Sequence, residues 1–227
     1  MSKSLTHLVL PMAFLFFTQY VFASAHLNYP SASGSIPIKT WKDLRDANVE
    51  KQDLDYSCGS AATATILRYF YGREVYEQDV LDEVTRIGDD GTASFADLQQ
   101  AVKKFGFKAI GISTNFRKLK TIKIPALVYL RYRDNDHFSV IRGINNQGVV
   151  WLGDPSWGNR LFSEHQFRAM WETRTEQNLK GKLLLFIPID KTMTSINKDF
   201  YRPPAVNNTA VELFTARPFR VDNQFKP

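Results

Sequence analysis

One cysteine stands in a chain of 227 residues. It excludes an intrachain disulfide and every zinc site built from several thiolates. The four histidines, at positions 7, 26, 137 and 165, show no spacing that would hold a metal. The 12 glycines nowhere form a phosphate-cradling loop, so neither metal nor cofactor is expected. No apolar run reaches the roughly 18–20 residues of a membrane span. Net charge is +6, yet basic residues alternate with acidic ones and form no long block. The basic stripe with interleaved aromatics that marks a nucleic-acid surface is missing too. What is present is the balance of a globular protein, 44% hydrophobic and 23% charged, with length enough for one sizeable core.

The N-terminus reads as an export signal. Lys3 supplies a positive start, and residues 8–17 are apolar apart from Pro11. Thr18 and Gln19 end that run, and Ala23-Ser24-Ala25 offers small residues to a signal peptidase. A signal peptide over residues 1–25 is expected, cut after Ala25 or at the alternative Ala23; an uncleaved N-terminal anchor is the competing reading. Export places the chain in an oxidising compartment, where small domains usually pair their cysteines. Cys58 has no partner in the chain, so it is either a buried inert residue or a thiol kept for reactivity.

Residues 26–37 are rich in Ser, Pro and Gly and predict a flexible leader, followed by a short helix within 38–50. A helix is expected over 58–71, opened by small residues and stopped by Gly72. A second spans 77–87 before Gly88. A third begins at Ser94, where Asp97 completes a capping box, and places Phe95, Leu98, Val102 and Phe105 on one face before Gly106. Beyond it, 107–112, 125–132, 137–144, 149–152 and 183–189 are rich in Val, Ile and aromatics and predict strands, with a short helix over 163–171 between them. Helices first and sheet later make an α+β domain. Residues 190–227 read as an extension that wraps the domain or is partly mobile, with an Asn207-Asn208-Thr209 sequon.

Four residues carry a candidate chemistry. Cys58 opens a predicted helix, where unpaired N–H groups and the helix dipole favour an anion. A thiol so placed can fall from about 8.5 into the range of roughly 3.5–7.5. Gly59 and Ser60 leave room for a substrate. His137 opens an apolar strand after a charged loop, whereas His165 sits in a polar helical stretch and reads as a surface residue. If Asn145-Asn146 forms a two-residue hairpin turn, His137 lies opposite Asp154, close enough for a carboxylate to hold one imidazole nitrogen. A turn at Gln147-Gly148 would shift that register. Gln52, six residues before Cys58, can donate its amide to an oxyanion beside the Cys58 N–H. A thiol, an imidazole and a carboxylate in this combination suit nucleophilic catalysis.

Three segments, Gln52 to Ala62, His137-Phe138-Ser139-Val140-Ile141 and Gly153-Asp154-Pro155, resemble the bacteriocin-processing, double-glycine-leader cysteine peptidases. The resemblance runs over about residues 45–188 and implies a papain-like fold with the cleft between helices and antiparallel sheet. It implies Cys58 as nucleophile, His137 as general base and acid, Asp154 as its orienter and Gln52 in the oxyanion hole. Tyr56-Ser57 stands where exporter-linked members usually carry an acidic residue. With an export signal in place of transporter domains, the chain looks like the stand-alone periplasmic branch, similar to the peptidase of functional-amyloid secretion systems. The expected organisation is a signal peptide (1–25), a leader (26–44), a peptidase domain (45–189) and an extension (190–227). The expected partner is an exported peptide or protein, amyloid subunits and secretion components included, cut after small Gly-Gly-like residues. A non-catalytic module guiding such a client, or acyl transfer to an amine, would use the same cleft.

Overall fold

The computed structural model describes residues 39–84, 92–132, 135–173, 175, 180–190 and 196–201, and the backbone of 24–29 and 32–37. The apolar stretch 8–17, His7, the Gly88 stop, the sequon and the rest of the extension lie outside the described residues. Two compact units divide after Thr40. In the first, β1 (Ser24–Tyr29) pairs antiparallel with β2 (Ala32–Pro37), Ala25 opposite Ile36. This corrects the flexible leader expected over 26–37. Composition hid the short-range signal of two equal segments separated by two residues.

The second unit opens with α1 (Trp41–Asp46) and then α2 (Cys58–Thr65). Every residue of α2 is buried, which its Gly, Ala, Ser and Thr side chains permit by their small size. The helix does not run uniformly to 71. It widens into a π-turn over Ile66–Phe70, with the Tyr71 N–H bonded back to Ile66 O at 3.2 Å. That turn buries Ile66, Leu67, Phe70 and Tyr71 together, and the Tyr71 hydroxyl donates to Phe186 O at 2.5 Å. Gly72, at φ +66°, stops it as expected.

Next come α3 (Glu77–Asp82) and α4 (Phe95–Ala101), the latter opened by the expected capping box: the Ser94 N–H donates to Asp97 at 2.8 Å and the Asp97 N–H to Ser94 Oγ at 3.3 Å. The strands are β3 (Phe107–Thr114), β4 (Ala126–Tyr132), β5 (Asn135–Ile144), β6 (Val150–Asp154), β7 (Gly158–Phe162) and β8 (Gly181–Pro188). The short α5 (Phe116–Leu119) precedes β4, and α6 (Glu164–Trp171) follows β7. The strands form one antiparallel sheet in the order β3-β8-β4-β5-β6-β7. Alternation along each strand feeds two cores. Leu127, Phe138, Val140, Leu184 and Phe186 pack with α2 and α4, while Val128, Leu130, Ile141, Leu183 and Leu185 pack with Phe116, Phe167 and Trp171 of α5 and α6.

The β5–β6 register departs from the two-residue turn. Ile144 pairs with Val150, not Gln147, because Asn145 closes a longer loop: its side-chain oxygen accepts the Val149 N–H at 2.8 Å, and Gly148 takes φ +81°. A bulge at Arg142 then brings Val140 opposite Gly153. The strand position facing Asp154 is therefore that of Ser139, and His137 lies two residues along the same side of β5. Arg142 is 1% exposed and ties distant segments together: it donates to Ala47 O, Asn159 Oδ1 and Phe200 O at 2.8, 2.6 and 3.0 Å, between the rings of Trp151 and Phe200.

A Cβ on Gly181 would fall inside the Trp171 indole, whose N–H donates to Lys182 O at 2.8 Å. Gly181→Ala is expected to cost about 1–3 kcal/mol or more by overpacking. Urea unfolding checks this, and an unchanged midpoint would contradict the packing described.

Candidate active site

Cys58 is the first residue of α2, a free thiol with 5% of its surface exposed. No side chain caps this helix: the Ser57 hydroxyl instead donates to Leu54 O at 2.7 Å. The N–H groups of the first turn are thus left for another acceptor. Across from it, His137 at the start of β5 lies close enough to Cys58 for the sulfur to help raise the imidazole above its ordinary value. Its Nε2 meets Asp154 Oδ2 at 2.9 Å, which leaves Nδ1 for the sulfur. The Trp157 ring lies over the imidazole, centroids 5.5 Å apart, and shelters the ring from water.

Asp154 is 1% exposed, and four donors reach it. Oδ1 accepts the N–H groups of Ser156 and Trp157, each at 2.9 Å, in the turn that Pro155 starts. Oδ2 accepts from His137 and from the Ser139 hydroxyl. The His137–Asp154 contact is thus diagonal across the β5–β6 pair.

Gln52 lies beside this turn. Its N–H donates to Pro155 O at 3.2 Å, and its side-chain oxygen accepts from Ser156 Oγ at 2.6 Å. Its amide nitrogen donates to Leu54 O at 2.9 Å and Asp55 O at 3.4 Å, carbonyls of the loop leading to Cys58. The structure joins His137 to Asp154, sets the Cys58 sulfur beside that ring, and ties the Gln52 amide to its own loop and to Ser156. His165 is exposed on α6, as expected, and takes no part.

Residues 46–175 match the model of the Peptidase C39 family. The chain belongs to this family. It is a cysteine peptidase. Two "probable functional amyloid protease FapD" sequences are similar to the C39 chain. That of Pseudomonas aeruginosa is 29% identical over 157 residues, covering 65% of this chain and 69% of the relative. That of Pseudomonas fluorescens is 32% identical over 139 residues, covering 59% and 61%. In fold, the chain is similar to a double glycine motif protease from an AMS/PCAT transporter, solved with its leader peptide (TM-score 0.51, 23% identity, 62% of this chain and 90% of that one). It is also similar to the peptidase domain of Streptococcus ComA (TM-score 0.51, 18% identity, 62% and 97%). The α+β, papain-like architecture expected from the sequence is therefore the one observed.

The C39 site has a definite electrostatic arrangement. Burial works against a charged His137, but the hydrogen bonds to Asp154 and Cys58 and the charge of Asp154 outweigh it and push the ring up to about 9. Burial likewise works against ionised Asp154, yet the bonds from His137, Ser139 and Trp157 and the imidazolium charge hold its carboxyl below the ordinary range. The stabilisation carried by protonated His137 is full below its ordinary 6.5 and is lost as pH rises through about 9. That carried by Asp154 is full above its ordinary 3.8 and is lost as pH falls through its lowered value. These are one interaction seen from its two partners.

Ser139 and Trp157 escaped the sequence reading. Ser139 left a signal, a lone hydroxyl inside an apolar strand, two residues after His137. Trp157 had only its place in Asp154-Pro155-Ser156-Trp157, an Asx-turn pattern that points its ring back over the strand end.

Asp154→Asn removes the charge that lifts His137. The imidazole titration is expected to move from about 9 toward 6.5, read from the ring protons by NMR. An imidazole still titrating near 9 would mean that Asp154 is not the cause.

Proposed function

We propose that Cys58 is the nucleophile of an exported peptidase, that His137 is its general base and acid, and that Asp154 orients the imidazole. The observation carrying this is the relay itself: a thiol at an uncapped helix start, against a ring whose far nitrogen is fixed by a buried carboxylate. His137 already holds the proton that Cys58 gives up, and the sulfur attacks a backbone carbonyl as the thiolate. The oxyanion meets the Cys58 N–H and the Gln52 amide, whose 3.4 Å bond to Asp55 is long enough to be exchanged for a better acceptor. His137 then protonates the leaving amine, and water, deprotonated by the same ring, hydrolyses the thioester.

The client is an exported protein cut after small, Gly-Gly-like residues, in support of secretion or of amyloid and biofilm assembly in the periplasm. Support comes from the apolar stretch 8–17 before Ala23-Ser24-Ala25 and from the likeness to the functional amyloid proteases. Among the described residues no helix is long and apolar enough to cross a membrane.

Cys58→Ala is expected to fold and to lose turnover entirely; undiminished hydrolysis would remove the nucleophile assignment. His137→Ala is expected to lose roughly 10²–10⁴-fold, with His165→Ala near wild type. Equal losses at the two histidines would mean that the base is misassigned. Gln52→Ala is expected to lower kcat by roughly 10²–10³. Mass spectrometry of the termini of exported proteins, from cells carrying wild-type or Cys58→Ala enzyme, tests the client class. A truncated form should disappear with the thiol, and identical termini in both strains would refute the processing role.

A further inference from the structure

Ser139 is fully buried, and its hydroxyl donates to the Asp154 oxygen that also receives His137 Nε2. The remaining oxygen is taken by two backbone N–H groups of the 155–157 turn. A buried carboxylate has about four acceptor positions, and here all are in use. Three of the donors come with local backbone or with the ring; only the Ser139 hydroxyl comes from a side chain that does nothing else. It stands at the position of β5 opposite Asp154, so it anchors the carboxylate to the strand that carries His137.

Resting on the assignment of His137 and Asp154 given above, we propose that Ser139 is a positioning residue of the peptidase, holding Asp154 ionised and in line with the imidazole. Without the hydroxyl, one lone pair of a carboxylate removed from water is left empty, which is costly for the anion but not for the neutral acid. Asp154 then takes up a proton earlier as pH falls, and the ring loses its anchor. The charged groups facing Asp154 are His137 from β5 and Lys51 from the segment before Gln52. The ammonium of Lys51 lies 3.9 Å from Asp46 Oδ1, is buried, and makes no hydrogen bond. Lys51 is left unaltered in every variant below.

The test compares Ser139→Ala with wild type, and Ser139→Val with Ser139→Thr, two side chains of one shape that differ by the hydroxyl. Alkylation of Cys58 by iodoacetamide and kcat/KM on a cleavable peptide are followed against pH. In the Ala and Val variants the acid limb of both profiles should move up by about one pH unit, the value of one hydrogen bond to a charged group. At pH 7 kcat should fall about tenfold from misalignment, with KM little changed. Thr should restore the wild-type limb. A merely structural role would lower the amplitude at every pH without moving the limb. Superimposable limbs for Ser and Ala, or a limb that moves alike in Thr and Val, would overturn the proposal. If Ala does not fold, the Thr–Val pair decides alone. The underlying assignment fails differently: wild-type alkylation would then be unaffected by His137→Ala.

Discussion

The structure turns on one buried charge. Asp154 sits at the end of β6 with 1% of its surface exposed, in surroundings where an unpaired carboxylate would be strongly disfavoured. It is tolerated because strand, turn and ring all present donors to it. Those bonds fix β5 against β6, shape the 155–157 turn and orient the ring of His137. Through the imidazole the same constraint reaches Cys58 and the start of α2. The demand for partners made by a desolvated anion thus becomes the geometric order of a site.

The groups proposed to react come from the two sides of the fold that pack against each other. The thiol belongs to a helix of small residues that is buried all round, and the imidazole and carboxylate belong to the sheet. The π-turn after α2 and the Tyr71 bond to β8 lock helix to sheet well away from the sulfur. Arg142 does the same for the chain entering the site at Ala47 and for the turn at Phe200. The match to the C39 family, over residues 46–175, takes in elements of both layers.

Much of this was legible in the chain. The small residues after Cys58, the stop at Gly72 and the Ser94–Asp97 box are local signals, and local signals survive folding. Five of the six sheet strands announced themselves by β-branched and aromatic runs. β7 did not, because Gly158-Asn159-Arg160 opens it with little apolar content and its outer positions face water. The β5–β6 register was misread because two features compete with a tight Asn-Asn turn: an Asn145 side chain that bridges to Val149, and a bulge at Arg142 set by packing from other segments. The second is long-range and invisible to any window of sequence. Ser139 and the internal tethering of the Gln52 amide were missed for the same reason, since both depend on what the folded chain places opposite them.

Gly59 follows Cys58, and a Cβ there would stand 3.2 Å from both Phe138 and Leu98. Phe138 is the residue next to His137. The missing methyl therefore acts as a spacer gauge: the gap between the Cys58 sulfur and the His137 ring is inherited from how closely a helix can lie on an aromatic ring. The spacing of the site is calibrated by a tolerance set in the interior. Changes to that interior contact would register as altered chemistry before they registered as altered shape.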